Sequence, residues 1–524
     1  MKPKLFSNEL LLVVLCCSSL SPLCAEESTL AGSRPNIILV MTDDQGMGDL
    51  SCMGNPIVRT PHIDRFYERS TRFADFHVSP TCAPTRSALM SGRRPFEVGV
   101  THTVLQRERM ALEVITFPEA LQAAGYATGL FGKWHLGDEV EYLPQNRGFD
   151  EVLMHGAGGI GQYSYGDFEA NQKNCYFDNV LLHNETIVRT KGFCTDLFFE
   201  AALAWIEGRI SEDRIQRTGQ ADTPYFAYIS LNAPHGPFIA PESYTKRFLD
   251  LGYDEKTAGR YGMIENIDDN FGRMLQQLSA WGALENTLII FMTDNGMAMP
   301  VIQQGKQRIT PHNAGMRGGK NSTWEGGTHV PAFWQWQGVL GEGVDIPALT
   351  AHVDLYRTFC ALAGAQIPES KLTPGGRSLL PLLENPQADW DDRTLFMHIG
   401  RWDDRRWNQK DREANKYHGA GVRTERWRLV YTLHKGEVQA QLSDISVDPG
   451  EQTDVAAQYP EILQELSAAF DQWWESLPPF LVNENLPWVE AAEQPLTIRY
   501  NQQLQAKGIP EWSPQLGALS KSGN

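Results

Sequence analysis

The chain has 524 residues, 42% of them hydrophobic and 21% charged, with a formal net charge of −18. That length predicts one large domain with an appendage, or two to three domains, and the composition excludes a globally disordered chain. The negative charge excludes a nucleic-acid backbone as partner and admits an anionic small molecule only through a locally basic pocket.

The first 25 residues predict a signal peptide. Lys2 and Lys4 form a positive start, Leu10 to Cys17 an apolar stretch, and Leu23-Cys24-Ala25 a small-residue cleavage site. The apolar stretch is too short to span a bilayer, and no later run of about 18 apolar residues predicts a transmembrane segment. The expected location is therefore secreted or periplasmic. A lipidated leader is the weaker alternative, since bulky residues or another cysteine precede Cys16, Cys17 and Cys24. Five cysteines follow the leader, Cys52, Cys82, Cys175, Cys194 and Cys360, and an odd count in an exported chain singles out one thiol for another fate.

Four apolar runs then end in polar residues. Ile37 to Met41 leads into Thr42-Asp43-Asp44, and Thr128 to Phe131 into Gly132-Lys133-Trp134-His135. Tyr225 to Ile229 leads through Asn232 to His235, and Leu288 to Met292 into Thr293-Asp294-Asn295. Continuous runs of this length predict strands buried on both faces. Between them, Thr116 and Glu119 form a capping box, and Met263, Ile264, Ile267, Phe271, Met274, Leu275 and Leu278 trace one helical face. Strands alternating with helices predict an α/β fold with a large, mostly parallel sheet, whose ligands bind beyond the carboxyl ends of the strands.

Beyond residue 380 the texture changes. Trp390 to Asn415 is rich in Arg, Asp and Trp, Trp427 to Tyr431 predicts a short strand, and Ile462, Leu463, Leu466, Phe470 and Trp473 share a helical face. A smaller C-terminal α+β subdomain is expected, followed by a tail of little periodicity over 491–524.

Cys82-Ala83-Pro84-Thr85-Arg86 continues through Ser87-Ala88-Leu89-Met90-Ser91-Gly92-Arg93. Pro84 suits a first helical turn and Gly92 a helix end, so Cys82 falls at a helix N-terminus, where free N–H groups favour anions. The pairs Asp43-Asp44 and Asp294-Asn295, in the near-identical contexts Met-Thr-Asp-Asp and Met-Thr-Asp-Asn, offer four oxygen ligands without His or Cys. Such a set selects a hard cation, Ca²⁺ first and Mg²⁺ second. Arg86, Lys133, His135, His235 and Lys320, together with the metal, supply the expected positive pocket, with Lys133 and His135 on one face of an extended segment.

The Cys-x-Pro-x-Arg core resembles the signature of the formylglycine-dependent (type I) sulfatases, of the alkaline-phosphatase superfamily. Gly125 to His135, Asp43-Asp44, Asp294-Asn295 and Gly319-Lys320 to Glu325-Gly326-Gly327 match that family in the same order, over about Pro35 to Trp474. The resemblance implies an alkaline phosphatase-like catalytic domain over 33–380, a subdomain over 381–490, and hydrolysis of sulfate esters. It further implies oxidation of Cys82 to formylglycine by a formylglycine-generating enzyme, and one Ca²⁺ held by Asp43, Asp44, Asp294, Asn295 and an oxygen of modified Cys82. On this analogy His235 with Lys320 protonates the leaving group, His135 takes a proton from the formylglycine hydrate, and Arg86 and Lys133 hold hydrate and sulfate oxygens.

An exported enzyme suits a sulfated carbohydrate or other sulfated small molecule. Lys133, His235, Lys320, Arg317, His398 and Arg401 are the expected substrate contacts, with Trp402, Arg405, Arg406 and His312 as further rim candidates. Two other readings compete: a phosphonate or phosphodiester hydrolase on the same fold, and a non-catalytic protein that binds sulfated glycans.

Overall fold

The apolar runs fold as strands whose alternate side chains enter two different cores. In the computed structural model, Ile37, Leu39 and Met41 pack into one core, while Ile38 and Val40 pack into the other. The structure describes residues 29–104, 106–162, 166–168, 175–215, 223–370, 372–401, 413–434, 437–477 and 489–517. The leader over 1–25 and Trp402, Arg405 and Arg406 lie outside the described residues.

The main sheet begins with β1 (Asn36–Thr42), β2 (Thr71–His77), β3 (Ala127–Lys133) and β4 (Glu151–His155). It continues with β5 (Val180–His183), β6 (Thr186–Arg189), β7 (Tyr225–Ser230) and β8 (Thr287–Thr293). A separate hairpin, β9 (Ile302–Gln304) and β10 (Gln307–Ile309), precedes β11 (Ala332–Gln335) and β12 (Val344–Ala351), which return to the sheet. Among the described residues the order is β12-β2-β11-β8-β1-β7-β3-β4-β5-β6. The centre, β8-β1-β7-β3-β4, is parallel, and antiparallel partners enter through β11 and at the β5–β6 edge.

Helices cover both faces. On one lie α1 (Pro61–Glu68), α4 (Cys194–Ile215) and α6 (Glu255–Ala280), beside the short α5 (Glu242–Asp250). On the other lie α2 (Cys82–Ser91), α3 (Phe117–Ala123), α8 (Asp354–Ala363) and α9 (Leu380–Glu384). Thr116 and Glu119 form the expected capping box at α3. Helix α6 starts earlier than its apolar face suggests, at Glu255, because the Asp254 side chain caps it through Thr257 N at 2.9 Å. The one-turn α7 (Glu325–Thr328) precedes β11.

The C-terminal sheet is antiparallel, with β13 (Leu395–His398), β14 (Ala420–Arg423), β15 (Trp427–His434) and β16 (Glu437–Asp444) in that order. Helix α10 (Pro460–Ser476) covers it, and Leu429, Leu442, Phe470 and Trp474 form its core together with Phe96 from the main unit. One expectation is corrected here. The segment after residue 490 contains a 13-residue helix, α11 (Pro495–Lys507), whose Leu496 and Tyr500 join the main core. Only three of its residues are buried, too few to print a periodic stripe. No helix among the described residues is long and apolar enough to cross a membrane.

Candidate active site

Because β8, β1, β7 and β3 are parallel neighbours, their carboxyl ends deliver four polar segments to one edge. Asp43 and Asp44 follow β1, Asp294 and Asn295 follow β8, Lys133 closes β3, and His235 lies in the loop after β7. Helix α2 brings Cys82 to the same place. Thr81 is its extended N-cap and Gly92, at φ 64°, its left-handed end, so Cys82 is the first helical residue as expected. One ligand atom from each of Asp43, Cys82 and Asp294 lies within 4.8 Å of the others, and the same holds for Asp43, Asp44 and His235.

Each acid has its own cation. Lys133 Nζ is 2.5 Å from Asp43 Oδ2, Lys320 Nζ 2.6 Å from Asp44 Oδ1, and Arg86 Nη2 2.7 Å from Asp294 Oδ2. All six side chains are buried or nearly so. The protein's own charges therefore balance three against three. The local positive field expected from these residues together with a metal depends on the divalent ion.

The residues present fit such an ion. Asp43 Oδ1 and Asn295 Oδ1 are buried without a hydrogen-bond partner, and buried polar atoms without partners are rare in folded proteins. The donors are carboxylate and amide oxygens, which suit a hard cation. Burial, Asp44 and Cys82 outweigh Lys133 and raise Asp43 to about 6. Burial and Asp43 raise Asp294 to about 6 as well. Asp44 goes the other way: burial disfavours its charge, but Lys320, His235 and the Asn295 amide hold its carboxyl below the usual range. Burial likewise opposes ionisation of Cys82, and Lys133 and Lys320 overcome it, lowering the thiol.

The two histidines have fixed tautomers. His135 Nε2 donates to Thr103 O at 3.0 Å, which leaves Nδ1 a buried lone pair with no protein partner. Burial, with Lys133 and Arg86 nearby, keeps that ring well below the usual histidine range. His235 Nδ1 donates to Gly236 O at 2.7 Å, and its Nε2 stands 3.7 Å from Asp44 Oδ2. Burial and then Lys320 lower it to about 4.

Several expected roles change. Arg86 spends its guanidinium inside the protein: Nε and Nη2 on Asp294, Nη1 on Lys133 O and on Ser230 Oγ at 2.5 Å. It orients a carboxylate rather than reaching for a sulfate oxygen. Arg317 lies 3.8 Å above the Trp324 ring and donates to Gln441 Oε1 and Glu451 O, fastening the C-terminal sheet instead of lining the pocket. His398 is buried between Phe96 and Trp474, with Nε2 on Asn415 O and Nδ1 accepting from Gly400 N, so it does not face a substrate. His312 is tied to Met53 O at 2.8 Å. Arg401, in contrast, reaches the rim: it donates to Asn321 Oδ1 at 2.7 Å and to Thr103 Oγ1, beside Lys320 and the partner of His135. Cys175 and Cys194 are separate thiols.

Four contributors carry no motif in the sequence. Ser230 links Arg86 to the Lys133 carbonyl, and Thr103 holds His135. Gly158 and Gly159 lie against the two histidines. A Cβ on Gly158 would come 2.7 Å from His135 Nε2, and one on Gly159 3.3 Å from His235 Nδ1. Both lie in the glycine-rich stretch Gly156-Ala157-Gly158-Gly159 after His155, and only the fold shows what it packs against.

The sulfatase family model matches residues 35–365, and a model of the C-terminal region of N-sulphoglucosamine sulphohydrolase matches residues 319–475. The chain therefore belongs to the sulfatase family, sulfuric ester hydrolases with the alkaline phosphatase-like fold. It is 33% identical to human arylsulfatase A over 69% of this chain and 70% of that protein. It is 28% identical to human N-acetylgalactosamine-6-sulfatase over 86% of this chain and 87% of that one. Among solved structures, the complex of Ps i-CgsB with k-i-k-neocarrahexaose superposes with a TM-score of 0.70 at 26% identity, covering 85% of this chain and 94% of the other.

Proposed function

We propose that this chain is an exported sulfatase that removes sulfate from a sulfated carbohydrate, with Cys82 as the precursor of its nucleophile. The observation that carries the reading is the meeting of Cys82, at the N-terminus of α2, with Asp43 and Asp294. The substrate class is supported by relatives named N-acetylgalactosamine-6-sulfatase and by the neocarrahexaose complex. The division of labour is a catalytic unit over 33–380, a C-terminal subdomain over 381–490 and a tail beyond.

Asp43, Asp44, Asp294 and Asn295 would hold the Ca²⁺, which when bound offsets negative charge and polarises oxygen. Installed at Cys82 by a formylglycine-generating enzyme, formylglycine supplies a nucleophilic hydroxyl and an internal route for sulfate release. The chain's own residues do the rest. Arg86, braced by Ser230, holds Asp294 in place, and Lys133 does the same for Asp43. Lys320 presents an ammonium where charge builds on sulfate oxygens, an arrangement worth about 2.7–4 kcal/mol per preorganised donor. His135 Nδ1 is the acceptor for a proton leaving the nucleophile, since Thr103 fixes its donor on the far nitrogen. Lys320 is the proton source for the leaving oxygen, because His235, lowered to about 4, spends its one N–H on Gly236 O, and Arg401 grips a substrate group at the rim.

Protein co-expressed with a formylglycine-generating enzyme should release inorganic sulfate from a panel of sulfated mono- and oligosaccharides, and Cys82→Ala should not. Turnover of aryl phosphonates without sulfate esters would replace this reading with the phosphonate hydrolase. Tight glycan binding with no turnover would replace it with a non-catalytic binder.

A further inference from the structure

A second group of metal-ligating side chains lies away from the active site, where β2 and α7 meet the C-terminal sheet. Asp75 and His77 are two residues apart on β2, and Glu325 and His329 are four apart across α7, so each pair shares a face. An isolated antiparallel bridge between His77 and His329 fastens the two segments together. One ligand atom from each of the four residues lies within 4.8 Å of every other. His77 Nε2 is 2.7 Å from Asp75 Oδ1 and 3.9 Å from Glu325 Oε2, and His329 Nδ1 is 3.1 Å from Glu325 Oε2.

The far nitrogens are held as they are in metal sites. His329 Nε2 donates to Ala74 O at 2.8 Å, and His77 Nδ1 faces Thr328 Oγ1 at 3.3 Å. The first contact fixes a tautomer. Nδ1 is then the nitrogen left to face Glu325 Oε2 at 3.1 Å, and a bound ion would take the place of the proton that His329 shares with that carboxylate, releasing it to solvent. Arg423 and Arg428 clamp the carboxylates, Arg423 on both oxygens of Asp75 and both arginines on Glu325 Oε1, leaving Glu325 Oε2 directed at the histidines. Side-chain exposures of 16% at Asp75 and 18% at His329 give an ion a way in.

We propose that Asp75, His77, Glu325 and His329 form a second metal site, for a borderline divalent cation of the zinc class. Two imidazoles and two carboxylates suit zinc, four protein ligands make a closed structural site, and the chemistry differs from the all-oxygen set at the active site. Entry of the ion moves the His77 proton from Nε2 to Nδ1, where Thr328 Oγ1 accepts it. The bound ion would staple the end of β2 to α7, and so brace the segment that carries Lys320.

The test uses the full-length protein, stripped with a chelator and kept in saturating Ca²⁺. Zn²⁺ alone is titrated with Tm as readout, Co²⁺ is titrated for its tetrahedral visible spectrum, and bound metal is counted by elemental mass spectrometry. The expected result is one equivalent of Zn²⁺ or Co²⁺, a tetrahedral Co²⁺ spectrum, a Tm that rises on binding, and loss of all three in His329→Ala. At partly exposed His329, His329→Gln provides a second variant should His329→Ala fail to fold. Absence of stoichiometric binding, or equal binding by wild type and His329→Ala, would overturn the site. Either result is independent of whether the enzyme cleaves sulfate esters.

Discussion

Asp44 and His135 both adopt left-handed backbone conformations, at φ 65° and 62°, as do Asn321 and Arg401 at the rim. For residues with a Cβ this costs about 1–3 kcal/mol each, and such strain persists only where surrounding bonds fix it. Asp44 is fixed by Lys320, by the Asn295 amide at 2.9 Å, and by its own N–H on Asp294 Oδ1. His135 is fixed by Thr103 on one side and the bare Gly158 on the other. Gly158→Ala should therefore push the imidazole off position. Steady-state kinetics should show kcat down at least tenfold, with the urea midpoint nearly unchanged; an unaffected kcat would mean the ring has room to move.

At the scale of elements, the carboxyl ends of four parallel strands do the positioning, and a buried ion pair supports the first of them. Arg260 on α6 donates to Asp49 Oδ1 at 2.8 Å and touches the Asp44 carbonyl. Both members are fully buried, so Arg260→Leu would strand a carboxylate and should cost about 3–5 kcal/mol in chemical unfolding. The strands were legible because two covered faces demand continuous apolar runs, and Cys82 because Pro84 and Gly92 bracket a helix. The pairing of each acid with one cation was not legible. Arg86 and Asp294 are 208 residues apart, and nothing local in either segment says that the guanidinium faces inward. For the same reason His398 and Arg317 look like exposed sugar-binding residues, although the C-terminal sheet turns them to structural work. Helix α11 escaped because most of its residues stay at the surface.

Across the whole molecule, buried carboxyls set the pH response. Burial, then Asp138, raises Glu108 well above the carboxylate range, and burial, with Glu139 and Asp167 nearby, raises Asp138 likewise, although Asp138 accepts from Ala157 N at 3.2 Å in partial compensation. Each binds a proton more tightly folded than unfolded, so its contribution to stability is complete below about pH 4 and is lost as pH rises through the folded pKa. Unfolding midpoints measured from pH 4 upward should carry this downward component, and Glu108→Gln should flatten it. An unchanged slope in that variant would show the pair to be ionised at no cost. The three acid–cation pairs around Asp43, Asp44 and Asp294 make a second global prediction. Removing bound metal with a chelator should abolish turnover and lower Tm, and Ca²⁺ should restore both.

The central claim is that Cys82 is converted into the nucleophile. The most direct measurement is the mass of the peptide spanning Thr81 to Arg86, from protein made beside a formylglycine-generating enzyme. The account predicts a peptide lighter by the exchange of CH₂–SH for an aldehyde at Cys82, in protein that releases sulfate. A fully intact thiol in protein that still hydrolyses sulfate esters would contradict it.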